Sequence, residues 1–286
     1  MSTHFLKSAI SRFAIAALIV CTLGGDVAFC QWIGKQTGCY QDSITANPNR
    51  PTVSNPAHVT QYGVLELEYG WDQYWLEGDI RQASMTGLLK FGILCDIELR
   101  WTTTPFLSQT DSESTHRTFG DSWLGTEIRL HRQTTALPTM AFSYALKLPS
   151  ATTEYGLGTG KVDYSFTFAA SEQIWHSNLD VNFTHYLIGR PEVSGFDQNQ
   201  QVAIAFSRPI HGRLQFAGEI YGNTRLNGLT PGFVSSLWAL SYGLSPRLVI
   251  DGGFEVGLTN GGPHHHAFAG FTYSIAQLYS HGRQKN

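Results

Sequence analysis

From Gly63 to Tyr273 the chain repeats one pattern, short runs in which apolar and polar residues alternate one by one. A period of two belongs to β-strands, because successive side chains leave opposite faces of a sheet. Leu65, Leu67, Tyr69 and Trp71 share a face against Glu66 and Glu68. A hairpin sets Leu89, Phe91 and Ile93 beside Ile97, Leu99 and Trp101, with Lys90, Glu98 and Arg100 opposite. The same alternation predicts strands around Leu124–Leu130, Met140–Leu148, Val162–Phe168, Leu179–Phe183, Val202–Phe206, Leu214–Tyr221, Trp238–Tyr242, Leu248–Val256 and Ala267–Tyr273. In the last of these the inward face, marked by Phe268, is the least distinct.

Two architectures use such a string. A soluble sandwich turns its apolar faces inward; a membrane barrel turns them to lipid and its polar faces to the lumen. Charge segregation alone fits both. Composition leans to the barrel, since only 14% of residues are charged, against about 25% in ordinary soluble domains. Beyond the N-terminus there is no apolar run of the roughly 20 residues that a spanning helix needs. The spacing of turn signals separates the two folds further. Brief turns at Leu94–Asp96, Ser171–Gln173, Pro209–Arg213 and Ser245–Arg247 alternate with polar loops at Asp72–Arg81, Thr103–Gly120, Pro149–Gly160, Ile188–Asn199 and Asn223–Gly232. Short turns at one rim and long loops at the other are the habit of outer-membrane barrels. Trp71, Trp101 and Tyr273 stand where an interfacial aromatic girdle belongs. The expected fold is therefore all-β, a transmembrane antiparallel β-barrel of about twelve strands.

The N-terminus reads as an export signal over residues 1–30. Lys7 and Arg12 precede the apolar run Phe13–Leu23, and Ala28 stands before a cleavage point at Cys30. Residues 31–58 have no periodicity and form an irregular segment, either a disordered leader or a candidate lumen plug. The barrel is expected over 59–274, with a polar tail at 275–286. The expected location is the cell outer membrane, with its lipid and the barrel-assembly machinery as partners. Cys39 and Cys95 would remain in an oxidising compartment, which leaves a disulfide between them open. The net charge of −3 carries no nucleic-acid signal.

The chain also resembles a family of outer-membrane proteins named for a MetA pathway of phenol degradation. The likeness spans about Asn49 to Tyr273 and rests on an ordered series of short pieces. These are Arg50-Pro51, the run Gly63 to Gly70, Leu88 to Gly92 with Ile97 to Arg100, Gly120-Asp121, Lys147 to Pro149, Gly158 to Asp163, Glu219 to Gly222, Asp251, and Glu255 to Leu258. The resemblance implies a transporter-like barrel with aromatic or hydrophobic cargo, and it brings no catalytic residues with it. The polar stretch Ser274–Asn286 departs from barrels that end on an aromatic residue.

Other chemistry finds little support. Gly156 to Lys161 lacks the Ser/Thr and the helix that a phosphate-binding loop requires. His264, His265 and His266 read as a solvated loop, because adjacent residues of an extended chain point apart and do not converge on one ion. His176 and Ser177 cannot pair for the same reason, and no other nucleophile–base pair stands out. The expectation is a non-enzyme without metal or cofactor. The lumen-lining candidates are Glu66, Glu68, Lys90, Glu98, Arg100, Glu127, Arg129, Lys147, Asp163, Asp180, Glu219, Asp251 and Glu255. They are expected to form cross-strand ion pairs or to set the selectivity of an open lumen. The function expected is passage of small solutes, with a non-conducting structural or surface-binding barrel as the alternative. A secreted β-protein that holds a hydrophobic ligand is the third reading.

Overall fold

The computed structural model describes residues 43–154, 157–191, 193–228 and 230–279. The signal-peptide reading lies outside them. Thirteen strands follow in chain order: Val64–Trp75 (β1), Arg81–Leu94 (β2), Ile97–Thr110 (β3), Thr115–Thr118 (β4), Ser122–His131 (β5), Thr139–Leu148 (β6), Asp163–Ile174 (β7), Ser177–Gly189 (β8), Phe196–His211 (β9), Leu214–Asn223 (β10), Phe233–Ser245 (β11), Leu248–Gly257 (β12) and His265–Gln277 (β13). Consecutive strands pair antiparallel, except that β5 joins β3 rather than β4, and β1 pairs with β13 from Val64↔Gln277 to Trp75↔His265, which closes the sheet. The short β4 pairs only with the far end of β3, beyond where β5 joins it. Twelve strands therefore make the wall, as the alternation implied.

Several strands run further than the alternation suggested. β1 continues to Trp75 and β2 begins at Arg81, so the predicted loop at Asp72–Arg81 shrinks to a short connection with one 3₁₀ turn at Glu77–Asp79. The predicted loop at Thr103–Gly120 is largely the upper half of β3 with its β4 hairpin. Asp111 shapes that hairpin: its Oδ1 accepts the amides of Glu113 at 2.9 Å and Ser114 at 2.8 Å. These donors, Glu113 first, hold its carboxyl below the usual range. β7 runs to Ile174, which moves the predicted turn at Ser171–Gln173 to Trp175-His176. β13 also outruns its predicted end. Strand pairing reaches Gln277, and Tyr279 packs on Tyr62 and Phe91 with ring centroids 5.0 and 5.5 Å away. The stretch from 275 to 279 is thus built into the barrel base, and an aromatic residue does stand near the end of the last strand. Cys95, in the β2–β3 turn, is disulfide-bonded; the Cys39 end of the pairing considered above lies outside the described residues.

The distribution of exposure separates the two architectures that the sequence left open. Phe183, Ile204, Ile220 and Phe254 stand about half exposed on the outer wall, whereas Glu66, Lys90, Glu98 and Glu127 are fully buried within it. A soluble protein does the reverse, since a large contiguous apolar surface in water promotes association. Trp71, Trp101 and Tyr273 also face outward, but within strands longer than the nine to eleven residues or so that cross a bilayer. Phe183 sits at the centre of β8, beside Phe168 and Val202 on the neighbouring strands. Phe183→Arg should cost about 2–4 kcal/mol in reversible folding into lipid vesicles. A change below about 0.5 kcal/mol, as on a water-facing surface, would contradict a lipid-facing wall.

Candidate functional site: the lumen and the segment that crosses it

Residues 43–61 form no regular secondary structure, and Pro48, Pro51 and Pro56 give the reason. Each proline lacks a backbone N–H and so breaks the ladder by which a strand would join a sheet. The amides between the prolines still need acceptors, and the inward side chains of the wall supply them. Ala46 donates to the carbonyl of Pro246 in the β11–β12 turn at 2.8 Å, which fixes the segment at the short-turn rim. Asn47 then donates to Glu66 at 2.8 Å, Asn49 to Glu68 at 2.8 Å and Arg50 to the other oxygen of Glu68 at 3.0 Å. Across the lumen, Val53 and Ser54 share the two oxygens of Glu219 at 2.8 and 2.6 Å. Asn55 forms a reciprocal pair with the Asn182 amide, and Ala57 donates to Ser171 Oγ at 2.7 Å. The segment returns toward β1 through Thr60, whose amide meets Glu98 at 2.5 Å. Ala57 also packs on Ala141 and Ala169 of β6 and β7, all three buried. The segment thus leaves the β1 wall, touches β10, β8 and β7, and comes back.

The lumen candidates resolve into clusters. Lys90 holds Glu66 at 2.8 Å and Glu68 at 2.6 Å, and also donates to the Asn47 carbonyl and to Asn49 Oδ1. Arg100 bridges Glu98 at 2.5 Å and Glu127 at 2.6 Å, with Ser143 donating to Glu127. Arg129 lies at the short-turn rim on Asp96, which Arg132 also contacts. Lys147 lies at the opposite end, between Asp163 at 2.6 Å and Asp121 at 3.1 Å. Asp180 accepts the Ser171 hydroxyl, Glu219 holds the segment amides, and Asp251 pairs with Arg50. Glu255 accepts from Tyr221 at 2.7 Å and contacts His266 at 2.9 Å. Of the two roles expected of these carboxylates, ion pairing is the one the geometry displays: they are occupied by fixed cations and by the crossing segment.

His266 corrects the reading of the three histidines as a solvated loop. It is buried on the inner face of β13, between Glu255 and Asp72 (3.1 Å), and stacks on Tyr74 at 3.9 Å. His265 points the other way. Among the described residues no three His, Cys, Asp or Glu side chains gather as metal ligands. Asp72 and His266 escaped the sequence reading because both were assigned to loops. The signal was parity: Asp72 continues the inward set Glu66, Glu68, Gly70, and His266 that of Phe268.

Arg50 is the other residue that periodicity could not find. Its guanidinium lies flat on the wall over Gly70 and Gly270, which are cross-strand partners. Gly270 in turn pairs with Asp251, so two glycines and a carboxylate stand in one row across β1, β13 and β12. Arg50 Nε meets both oxygens of Asp251 at 3.2 Å, and the guanidinium lies 5.7 Å from the Phe268 ring centre. A methyl group on Gly70 would find its three nearest atoms on the Arg50 guanidinium, with Cζ 2.5 Å away, closer than atoms can pack. Gly70→Ala should therefore expel Arg50 and speed amide hydrogen exchange over residues 47–57; unchanged exchange there would show that the guanidinium does not anchor the segment.

Space remains on either side of the segment. A cavity of about 380 Å³ opens toward the short turns, bounded by Asn49, Pro51, His58, Gln173, Asp180 and Ser207. A second, of about 250 Å³, lies toward the long loops, against Asn49, Asn55, Arg100, Trp123, Ser165 and Tyr186. Asn49 borders both.

Two solved structures share this architecture. An outer-membrane channel from Pseudomonas putida F1 superposes with a TM-score of 0.61 at 10% identity, over 82% of this chain and 99% of that one. The NanC porin gives 0.51 at 8% identity, over 74% of this chain and 100% of that one. At these identities the likeness is one of fold. No protein-family model matches the chain, and no curated protein matches it.

Proposed function

We propose that this chain is an outer-membrane channel for small solutes whose lumen is closed at rest by residues 46–61. The observation that carries this reading is the pair of cavities on opposite sides of the segment, meeting at Asn49. A barrel filled only for rigidity has no need of space on both sides of a separately bonded strap. The apolar outer belt suits outer-membrane lipid, into which the barrel-assembly machinery would insert it. The fold shared with the channel from Pseudomonas putida F1 supports a transporting role, and the resemblance to the phenol-degradation family favours aromatic or hydrophobic cargo. The lumen carboxylates would then act first as anchors for the segment and only secondarily on selectivity. A channel role also needs no nucleophile or metal.

The alternative, a non-conducting barrel, draws on one observation: lumen ion pairs such as Lys90–Glu66 and Arg100–Glu127 are closed onto each other and buried. Swelling of vesicles containing the full-length protein, in neutral solutes of graded size, separates the two. Slow swelling that falls steeply with solute size is expected of the parent protein, and faster swelling of Arg50→Ala, in which the segment loses its hold on Asp251. Rates equal to those of empty vesicles for every solute in both proteins would leave the structural barrel as the answer.

A further inference from the structure

The cavity on the long-loop side has a chemistry of its own. Trp123 and Gly125 face inward with Glu127 on β5, and Tyr186 faces inward with Thr184 and Asn182 on β8. The indole and phenol supply flat apolar surface, and Ser165 and Thr102 add hydroxyls. Asn49 adds a directed donor. Its Oδ1 accepts from Lys90, which places Nδ2 on the other side of the amide, and Nδ2 has no partner although the residue is 5% exposed. A buried donor without an acceptor is costly; Nδ2 is enclosed as it stands, so a ligand oxygen would satisfy it once the amide turns toward the cavity. Charge limits the choice. The lining cation, Arg100, is already held by Glu98 and Glu127, and Lys90 beside it by Glu66 and Glu68. Four carboxylates thus face two cations around this cavity, which disfavours an anion.

We propose that this cavity is a binding station for a neutral, hydroxylated six-membered ring, with Trp123 against its face and Asn49 Nδ2 on one of its oxygens. The station rests on the channel reading and gives it a substrate class. Such a ring belongs either to a polyhydroxybenzene or to a pyranose, and both present a flat face edged with hydroxyls.

Saturation-transfer NMR on the full-length protein in micelles, with resorcinol, methyl β-glucoside and 3,5-dihydroxybenzoate as probes, tests it. At least one neutral ring should give a saturable signal, and the one that does identifies the source. The signal should weaken about tenfold in Trp123→Leu and in Asn49→Asp, the second of which keeps the shape and the Lys90 contact while removing the donor. Dihydroxybenzoate should bind at least about tenfold more weakly than resorcinol. Silence from both neutral rings, equal binding of the benzoate, or signals indifferent to both substitutions would each overturn the station. Because NMR reads binding without conduction, a protein that binds but never conducts would refute the channel and spare the station. One that conducts without binding would do the reverse.

Discussion

Arg50→Ala should raise the conductance of the barrel and lower its unfolding free energy by about 3 kcal/mol. Both effects come from one contact. The guanidinium ties the middle of the crossing segment to Asp251, whose side chain is 2% exposed, so truncation leaves a buried carboxylate without its cation. Removing one partner of such a pair costs far more than the pair contributes net. The amides of Arg50 and Asn49 would still hold Glu68, but the segment would lose the contact that presses it against β1 and β13. Frequent openings in bilayer recordings, with reduced stability in vesicle refolding, are the expected result. Arg50→Lys should recover little of either, because an ammonium is not planar and cannot lie over Gly70 and Gly270 while reaching both oxygens of Asp251. Lower stability with unchanged conductance would show that Arg50 supports the wall without controlling the path.

The second large effect is expected at Lys90. It is fully buried and serves Glu66, Glu68, the Asn47 carbonyl and Asn49 at once. Lys90→Met should cost about 3–5 kcal/mol or more, since two carboxylates are stranded in the wall together. The protein should then fail to reach the folded, heat-modifiable form on a gel. The triple variant Lys90→Met, Glu66→Gln, Glu68→Gln should fold, because the neutral amides keep acceptors for Asn47 and Asn49 without unpaired charge. Failure of the triple variant alone, with Lys90→Met folding normally, would assign the cluster to something other than charge balance.

How much of this was legible in the sequence follows from which interactions are periodic. The wall was readable because alternation is imposed residue by residue, and lipid on one side with a polar lumen on the other sharpens it. Parity alone set the charges from Glu66 to Glu255 on one face of the strands. Strand ends were missed where pairing continues past the clear apolar–polar alternation: Asp72 and Tyr74 in β1, the second half of β3, and Ile275 to Gln277 in β13. The partners of the inner charges were not legible. Nothing periodic links Glu219 to Val53, or Arg50 to Asp251 some two hundred positions away, because an irregular chain chooses its contacts by where its unpaired amides fall. The absence of periodicity marked residues 31–58 as irregular and a candidate plug. It could not show that Glu66, Glu68, Glu98 and Glu219 would take up its amides.

Whether the crossing segment closes the path can be tested with a reversible lock. Ala57 packs on Ala169 inside the barrel, so cysteines at both positions can tie the segment to the wall. Single-channel recordings in planar bilayers would compare this variant, oxidised and then reduced, with the parent protein treated identically. Openings should vanish on oxidation and return on reduction in the variant alone. Openings of the same size and frequency in both states would contradict closure by the segment, since solute and ions would then pass without any movement of the segment.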